Sequence, residues 1–447
     1  MIAQGILILS HVGFSFVDQL AKQAADEAVE RYILTSLPEP DNLSRLEDLK
    51  GLGEWFGATQ QHELNWDDVK GAIADIQAQG KTINACVCVW EGYRSLMAQA
   101  NAYLGVTDIH PDAVDLLTNK YALRRLLYQH GLSEVQAEPL TEGNLLSYQA
   151  QGAIKFIKPY RGIASFGAFR LTPDVRWSDI QALHQELRSD TVFQAIFAEQ
   201  DPFIIEDYIS GTEYSFEILV EENTQHIIAI HEKSEVSFKK MTTLENACVS
   251  PPVSLAPADI DSARTWLNSV FSLLDISTGC FHLEAKFNGK RWELIEINPR
   301  VGGSLISQSV EQLTEGYSML NLWIKLLLQS TRRDTSVSQL LGELALSGGK
   351  PSPKGKATFF RVFFGEVGVI ERVDERPGEH APILSQVFVK PGSTFTSASK
   401  ENFVGQALWA LDYACLADSY ASISRQSEDL IELTYRQEST APVVETY

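Results

Sequence analysis

The chain has 447 residues and a formal net charge of −21, which disfavours a nucleic-acid or anionic-membrane surface. Its hydrophobic content of 44% fits a globular protein, and no uninterrupted apolar run approaches the ~18 residues of a membrane span. The length suggests about three domains. Five cysteines without a Cys-x-x-Cys pair, and a strand-like start in place of a charged leader, make the cytoplasm the default compartment.

The N-terminal part alternates strand-like apolar runs with amphipathic segments, which is typical of a parallel α/β sheet. Strands and helices are predicted, in chain order, at 2–9, 16–30, 31–36, 69–79, 82–89 and 92–104. A new unit starts near residue 109. We therefore place an N-terminal α/β domain at residues 1–111.

The middle of the chain, residues 112–335, is predicted to form a second domain with a small lobe at about 153–210. A helical region at 112–130 contains Asn119-Lys120. A strand at 154–158 ends in Lys158-Pro159, and the loop RGIASFG (161–167) follows. A strand, a glycine-containing loop and a second strand can drape backbone N–H groups over phosphates. Further elements are predicted at 168–171, 177–188, 203–209, 213–220 and 225–230.

The last part, residues 336–447, is predicted to be a smaller α+β region. Its strands are expected at 357–364 and 386–389, its helix at 403–419, and a frayed tail from about residue 438.

A predicted β-hairpin between residues 280 and 298 carries the most informative pattern. Glu284 and Glu296 lie on its opposite arms. A two-residue loop would place them on opposite faces, whereas a loop of three or five residues would place them on one face, with Cβ atoms roughly 5–8 Å apart. Asn298 shares the face of Glu296. These three oxygen donors are typical of a magnesium site completed by water and phosphate; the alternative is a solvated hairpin face.

Several motifs occur in the order and spacing of the ATP-grasp superfamily, which the chain resembles from residue 1 to about 328. They are Asn119-Lys120, Lys158-Pro159 with RGIASFG, EDYISGTEYSFE, HLEAKF and ELIEINPR. Within the superfamily the chain resembles the carboxylate–amine ligases that make dipeptides from unprotected L-amino acids, such as the bacilysin and dapdiamide synthetases of antibiotic biosynthesis. The AIHEK motif (229–233), followed by Glu245 shortly before Ser250-Pro251-Pro252, supports this subgroup.

The resemblance implies an ATP-grasp fold, with an N-terminal parallel α/β domain, two lobes that grip ATP and a C-terminal α+β lobe. It implies ATP and one or two Mg²⁺ ions, with Mn²⁺ as a substitute, and small carboxylate and amine substrates. Neither nucleic acid nor a membrane is an expected partner, and a homodimer is allowed. Two alternatives stay open: an ATP-grasp ligase of the purine-biosynthesis or carboxylase type, and a nucleotide-binding module that has lost catalysis.

The resemblance also implies roles for individual residues. For the nucleotide they are Lys120, Lys158 and Ser165 near the phosphates, Lys158 also near the adenine, Glu206, Asp207, Tyr208 and Ile209 along the adenine, and Glu213 at the ribose.

Arg300 and Lys158 are the implied catalytic residues, Arg300 because it would stabilise charge on the phosphoryl group or the oxyanion. Substrate contacts are expected from Arg300, from Glu245 to an ammonium group, and from Gly302-Gly303 to a carboxylate. His231 is either a substrate contact or a satisfied strand histidine. Cys248 stands where some relatives carry a histidine.

Overall fold

The computed structural model of the chain describes residues 4–162, 164–189, 203–332, 336–347, 352–376 and 378–436. The expected frayed tail from residue 438 lies outside these residues. Across the described ranges, no helix is both long enough and apolar enough to span a bilayer.

The N-terminal domain is built on a four-stranded parallel sheet with the order β3-β2-β1-β4, as the alternating pattern predicted. Strand β1 has the sequence QGILILS and is buried at every position after its first, as both faces of the sheet are covered. The elements are β1 (Gln4–Ser10), α1 (Val17–Asp26), β2 (Glu30–Thr35), α2 (Arg45–Lys50), β3 (Trp55–Ala58), α3 (Trp66–Ala78), β4 (Thr82–Val87) and α4 (Arg94–Leu104).

Two helices, α5 (Pro111–Thr118) and α6 (Lys120–Gln129), form the region predicted as helical at 112–130. Asn119 separates them, because its extended backbone ends α5 while its side chain accepts a hydrogen bond from Ala122 N and caps α6. Lys120 is therefore the first residue of α6. Its backbone N donates to Tyr160 O at 2.8 Å, which ties this helix start to the strand before the RGIASFG loop.

The small lobe consists of a four-stranded antiparallel sheet, with the order β5-β8-β6-β7, and two helices. Its first strand lies ahead of the predicted lobe start at about residue 153. The elements are β5 (Ala137–Pro139), α7 (Glu142–Ala150), β6 (Lys155–Pro159), β7 (Phe169–Arg170), α8 (Trp177–Ser189) and β8 (Phe203–Asp207).

An eight-stranded sheet with the order β13-β12-β9-β10-β11-β14-β18-β16 forms the large lobe and continues into the C-terminal region. Its neighbouring strands are all antiparallel. The elements up to residue 344 are β9 (Thr212–Glu221), β10 (Thr224–Phe238), β11 (Thr243–Ser250), α9 (Pro257–Leu273), β12 (Gly279–Phe287), β13 (Trp292–Asn298), α10 (Ile306–Leu313), α11 (Met319–Arg332) and α12 (Ser336–Leu344).

The C-terminal region supplies three strands to the large sheet and a separate three-stranded sheet, β17-β15-β19. Its elements are β14 (Lys356–Phe364), β15 (Gly368–Glu375), β16 (Leu384–Val387), β17 (Thr394–Phe395), β18 (Phe403–Asp412), α13 (Leu416–Glu428) and β19 (Ile431–Tyr435). The prediction of a helix at 403–419 was wrong. The run FVGQALWALD is apolar on both faces of the sheet, since Trp409 packs in one hydrophobic core and Leu408 in another, and periodicity alone does not separate such a strand from a buried helix.

Two contacts fix the N-terminal domain against the large lobe. Side chains of α11, including the fully buried Trp323, belong to the same hydrophobic core as β1 and β4. Arg94 on α4 donates its Nε to Pro299 O at 2.6 Å and pairs with Asp108 at 2.7 Å. The end of β13, immediately before Arg300, is therefore held by the N-terminal domain.

Candidate active site

A cavity of about 770 Å³ opens between the small-lobe sheet, one face of the large sheet and the N-terminal domain. Most of the predicted site residues line it. These are Lys120, Lys158, Ser165, Glu206, Tyr208, Ile209, Glu213, Glu245, Glu284, Glu296, Asn298, Arg300 and Gly303.

Glu284 and Glu296 are paired directly across the β12–β13 hairpin. The hairpin loop runs from 288 to 291, so a regular ladder would pair Glu284 with Ile295 and turn Glu296 to the other face. Ile295 is instead the extra residue of a β-bulge, which shifts the register by one. The predicted shared face is present, but a bulge produces it, where the sequence suggested a loop with an odd number of residues.

Glu284, Glu296 and Asn298, here called the oxygen-donor trio, lie together on this face, and a lysine holds each carboxylate. Lys120 Nζ lies 3.0 Å from Glu296 Oε2, and Lys233 Nζ lies 2.6 Å from Glu284 Oε1. Asn298 Nδ2 donates to Glu296 Oε1 at 2.8 Å. Burial alone would raise the pKa of both carboxyl groups, but the lysines outweigh it and hold each pKa below its usual value. Both groups are therefore ionised at neutral pH.

Lys233 on β10 lies at the centre of a second charged group, here called the Lys233 cluster. Its ammonium contacts Glu284, Glu213 at 2.9 Å, and Glu245 in a shorter ion pair. Oxygens of the three carboxylates come within 4.8 Å of one another, which is close enough to share a cation. Burial would lower the pKa of Lys233, but the carboxylates raise it well above its ordinary value. The three carboxylates of the cluster thus already bind one ammonium group, that of Lys233 itself.

Glu245 carries the most strongly altered carboxyl group of the Lys233 cluster. Burial in the cavity wall raises the pKa of Glu245, and the adjacent Glu284 and Glu213 raise it further against the effect of Lys233, to about 8. Lys233 is not the only cation near these carboxyl groups, since Lys286 Nζ lies 3.4 Å from Glu213 Oε2 and His282 Nε2 lies 3.1 Å from Glu284 Oε1.

A buried histidine–glutamate network supports Glu284 from behind. His282 Nε2 lies 3.1 Å from Glu284 Oε1, and its Nδ1 lies 2.9 Å from Glu217 Oε1. His231, on the far side of Glu217, has its Nδ1 3.6 Å from that carboxylate and its Nε2 2.8 Å from Ser309 Oγ. His231 is fully buried and is not among the residues that line the cavity, and its Nδ1 makes no hydrogen bond within the described residues. Its two predicted roles, a substrate contact and a satisfied strand histidine, therefore stay predictions.

Lys158 on β6 and Glu206 on β8 form a buried ion pair at the small-lobe side of the cavity. Lys158 Nζ lies 2.7 Å from Glu206 Oε1, and Arg124 Nε lies 3.0 Å from Glu206 Oε2. Burial and Arg124 lower the pKa of Lys158 although Glu206 opposes them. Lys158 also donates to the carbonyl of the bulged Ile295 at 3.3 Å. Glu206 therefore positions Lys158, and because Glu206 also lines the cavity its predicted contact with adenine stays a prediction.

Asp207 and Tyr208 follow Glu206 but face different surroundings. The Asp207 carboxylate pairs with Lys155 at 2.7 Å, and Asp207 is not among the lining residues. The predicted place of its backbone along the adenine stays a prediction. The Tyr208 ring lines the cavity and has the Arg170 guanidinium 4.6 Å and Lys286 Nζ 5.2 Å from its centroid. An aromatic ring in this place suits contact with a flat heterocycle.

Comparison with known protein families matches residues 154–308, the segment that supplies these groups from β6 to β13, to a family described as the ATP-grasp domain. Residues 154–308 are an ATP-grasp domain. None of the curated proteins compared matches the chain.

Solved structures share the fold of the chain over almost its full length. An L-amino acid ligase from Bacillus licheniformis is similar with a TM-score of 0.71 and 15% identity, covering 98% of this chain and 100% of its own. A phosphoribosylglycinamide synthetase from Anaerococcus prevotii is similar with a TM-score of 0.62 and 12% identity, covering 97% of this chain and 100% of its own. A biotin carboxylase from Campylobacter jejuni is similar with a TM-score of 0.61 and 10% identity, covering 96% of this chain and 92% of its own. These similarities confirm the ATP-grasp fold predicted from the motifs.

Arg300 follows the last strand of the ATP-grasp sheet and lines the cavity. Its Nη2 lies 2.7 Å from Glu91 Oε2, and its Nη1 donates to Val301 O at 2.9 Å. Its Nε is buried and makes no hydrogen bond within the described residues. Glu91, a residue of the N-terminal domain that no motif indicated, therefore orients the side chain and leaves one donor unused.

Gly302 and Gly303 differ in their surroundings, although they were predicted to act together. A Cβ at Gly302 would lie 2.7 Å from His282 Nδ1 and 2.9 Å from Ile306, so the absence of a side chain lets the chain pack against that histidine. Gly302 is not among the lining residues of the ATP-grasp cavity, whereas Gly303 is. Of these two glycines, only Gly303 lines the cavity where the predicted substrate contact would be made.

The RGIASFG loop closes one side of the ATP-grasp cavity, and its residue Ile163 lies outside the described residues. Ser165 Oγ donates to Glu401 Oε1 at 3.1 Å, and Thr242 Oγ1 donates to Ser165 O at 2.8 Å. Gly167 N donates to Ser399 O at 3.2 Å. The loop is thus attached to both the β10–β11 turn and the C-terminal region.

The two ends of the chain contribute cavity walls that the motifs did not reveal. On the N-terminal side, the rings of His11 and Trp90 stack at 4.5 Å. On the C-terminal side, alternate residues of β14 and nearby groups form an apolar wall. The wall consists of Cys248, Ile306, Phe360, Val362, Phe364 and Phe403. Only an alternating apolar pattern within β14 was available from the sequence, and it did not indicate which face would meet the cavity.

Proposed function

We propose that the chain is an ATP-dependent carboxylate–amine ligase that forms a dipeptide-like amide bond through an acyl phosphate and releases ADP and phosphate. The observation that carries this proposal is the shared ammonium of Lys233, which joins Glu245 to Glu284. Glu284 belongs to the oxygen-donor trio, and Glu245 is the predicted ligand of a substrate ammonium. Amine recognition and phosphate chemistry would therefore occupy neighbouring positions in one cavity.

Activation by ATP explains why the cavity needs fixed cations. A carboxylate is a poor acyl donor until phosphorylation provides a better leaving group. Phosphoryl transfer depends mainly on positioning and on neutralising the phosphate oxygens. Lys120 and Lys158 line the cavity and are each held by a carboxylate, Glu296 and Glu206 respectively. We assign both lysines to the triphosphate.

The oxygen-donor trio fits a magnesium ion by the chemistry of its donors. Glu284 and Glu296 are directly paired, both are kept ionised, and Asn298 adds an amide beside Glu296. Bound there, Mg²⁺ would neutralise charge on the phosphate oxygens. The chain's own contribution is to hold the two like charges together, which it does with Lys120 and Lys233.

Arg300 is the residue best placed to stabilise the developing negative charge. Its Nε is buried without a hydrogen-bond partner in the described part of the chain, while Glu91 holds its Nη2 and the carbonyl of Val301 holds its Nη1. A donor oriented in advance needs no rearrangement during the reaction, and removing one typically costs about 10²–10³ in rate. We assign it to the transferred phosphoryl group or to the oxyanion of the tetrahedral intermediate.

A screen of acid–amine pairs with ATP and Mg²⁺ tests the proposal by measuring ADP release and identifying the product by mass spectrometry. We expect release that requires both substrates and an equal amount of amide. Glu296→Ala protein, prepared in parallel, controls for contaminating ATPases. ADP release that requires bicarbonate and yields no amide would support a carboxylase-type reaction, and no release with any pair would overturn the ligase proposal.

A further inference from the structure

Glu401 brings a carboxylate from the C-terminal region into the wall of the ATP-grasp cavity. It precedes β18, and its neighbour Asn402 fixes the local backbone. Asn402 O accepts from Gly365 N at 2.8 Å, and Asn402 Nδ2 donates to Ser397 O at 2.8 Å. The carboxylate is therefore presented by an ordered turn, and it accepts a hydrogen bond from the Ser165 hydroxyl at 3.1 Å.

The setting of Glu401 differs from that of the other cavity carboxylates. Glu206, Glu284 and Glu296 each contact a lysine. Within the described residues, Glu401 has no cationic side chain within ion-pair distance. Phe364 and Phe403, from β14 and β18, also line the cavity. A carboxylate without a fixed counter-charge is available to a group that enters the cavity.

The charged groups that act on Glu401 belong to the reaction centre. Burial raises the pKa of Glu401 to about 7, the Ser165 hydroxyl and Lys233 oppose this rise, and Glu284 adds to it. Its electrostatic neighbours are thus the two residues that join the Lys233 cluster to the oxygen-donor trio. A carboxyl group that titrates near neutrality is suited to accept a proton under physiological conditions.

We propose that Glu401 is the base that receives the proton of the attacking amine, an inference that rests on the proposed ligase function. An α-amino group is largely protonated at neutral pH and must lose a proton before its lone pair can attack. A Glu401 oxygen takes one proton from the ammonium, and the freed nitrogen lone pair forms the new C–N bond at the acyl carbon. The tetrahedral intermediate then breaks the bond between the acyl carbon and the phosphate oxygen, and the phosphate leaves as hydrogen phosphate with the second nitrogen proton.

Glu245 does not serve as this base in the proposed arrangement. It is in an ion pair with Lys233 and is assigned to the ammonium of the donor, which must stay protonated to be kept out of the reaction. Glu401 immediately precedes β18, which lies two strands from the β11 of Glu245 in the same sheet, and it lies beside the loop predicted to cover the phosphates. The two carboxylates thus act on the two amines in opposite ways. Glu245 keeps the donor amine as an ammonium group, and Glu401 deprotonates the attacking amine.

Glu401→Gln tests the proposal when two nucleophiles are compared. The first is an amino-acid acceptor identified in the substrate screen, and the second is hydroxylamine, which is largely unprotonated at neutral pH and needs no base. We expect the amide-forming rate with the amino acid to fall by about 10²–10⁴-fold, while hydroxamate formation and its ADP release change little. Equal losses with both nucleophiles, or no loss with the amino acid, would overturn the assignment.

Ser165→Ala is the matched control, because it removes the same hydrogen bond but keeps the carboxylate. If Glu401 only anchors the loop through Ser165, both variants will lose activity alike and with both nucleophiles. If Glu401 is the base, Ser165→Ala will not reproduce the selective loss with the amino acid. Wild-type protein that makes neither amide nor hydroxamate would refute the ligase proposal itself, which separates that failure from a failure of the Glu401 assignment.

Discussion

Lys120 Nζ lies 3.0 Å from Glu296 Oε2, so the start of α6 is joined to the hairpin face that carries the oxygen-donor trio. Burial would lower the pKa of Lys120, but Glu296 and Glu91 together raise it above its ordinary value. The pair is thus fully ionised. When magnesium and ATP bind, we expect this ion pair to separate, so that Glu296 binds the cation and Lys120 contacts a phosphate oxygen.

Glu296→Ala is expected to abolish turnover, because it removes one of two directly opposed carboxylates. ATP binding should weaken and lose its dependence on Mg²⁺, which calorimetry with and without the metal can measure. Glu371→Ala, at an exposed position of β15, is the control and should behave as wild type. Full activity of Glu296→Ala at saturating Mg²⁺ would remove Glu296 from the metal site.

The loop at 161–167 is expected to become more protected when nucleotide binds, as its residues lie beside the assigned phosphate position. Hydrogen exchange measured by mass spectrometry, with and without an ATP analogue and Mg²⁺, can compare this loop with β13 as an internal reference. Its present contacts, from Thr242 and to Ser399, should then be supplemented by the phosphates. Identical exchange in both states would contradict the assignment.

Glu245→Gln is expected to raise KM for the amino-acid donor far more than KM for ATP or the amine. A charge-assisted contact to the donor ammonium is worth about 1.5–3 kcal/mol, which corresponds to roughly 10–150-fold. An N-acylated donor lacks this ammonium, so its KM should respond little to the substitution. Unchanged kinetics with a free amino acid would show that Glu245 does not bind the donor.

Glu217→Gln is expected to reduce stability in a pH-dependent manner. Burial would raise the pKa of Glu217, but His282 and His231 lower it to about 2, and Glu217 in turn contributes to raising the pKa of His282 to about 10. A depressed carboxyl pKa stabilises the folded state above the unfolded pKa, and this contribution is lost as the pH falls toward 2. Breaking a buried pair costs about 3–5 kcal/mol.

Denaturant unfolding of Glu217→Gln and wild type, followed between pH 7 and acidic pH, checks this expectation. The difference in the free energy of unfolding should be largest near neutrality and should shrink as Glu217 becomes protonated in the wild type. A difference that is independent of pH would mean that the substitution acts through packing alone.

The hairpin could be predicted because its signals are local. Alternating residues, a turn sequence and Pro299 after the last strand defined both arms within one or two residues. The bulge at Ile295 had no such signal, since the group that contacts its carbonyl, Lys158, lies 137 positions away along the chain. The shared face of Glu284 and Glu296 was therefore predicted correctly with the wrong geometric cause.

Residues that act through distant contacts could not be predicted in this way. Glu91 precedes Arg300 by 209 positions, and Glu401 follows Ser165 by 236, so neither pair forms a pattern along the sequence. The strand at Phe403–Asp412 was assigned as a helix for a related reason. Its side chains pack in two different hydrophobic cores, and single-sequence periodicity does not separate a strand buried on both faces from a buried helix.

The continuation of the large sheet from β11 into β14 bears on how the protein can be shortened. A chain cut after residue 335 would keep every motif of the ATP-grasp domain, yet it would expose the edge of β11 at residues 247–250 that β14 now pairs with. Exposed edges of this kind recruit strands from other molecules and promote aggregation. The last quarter of the chain is therefore a protective cover for the catalytic sheet, and a minimal enzyme would need a replacement for it.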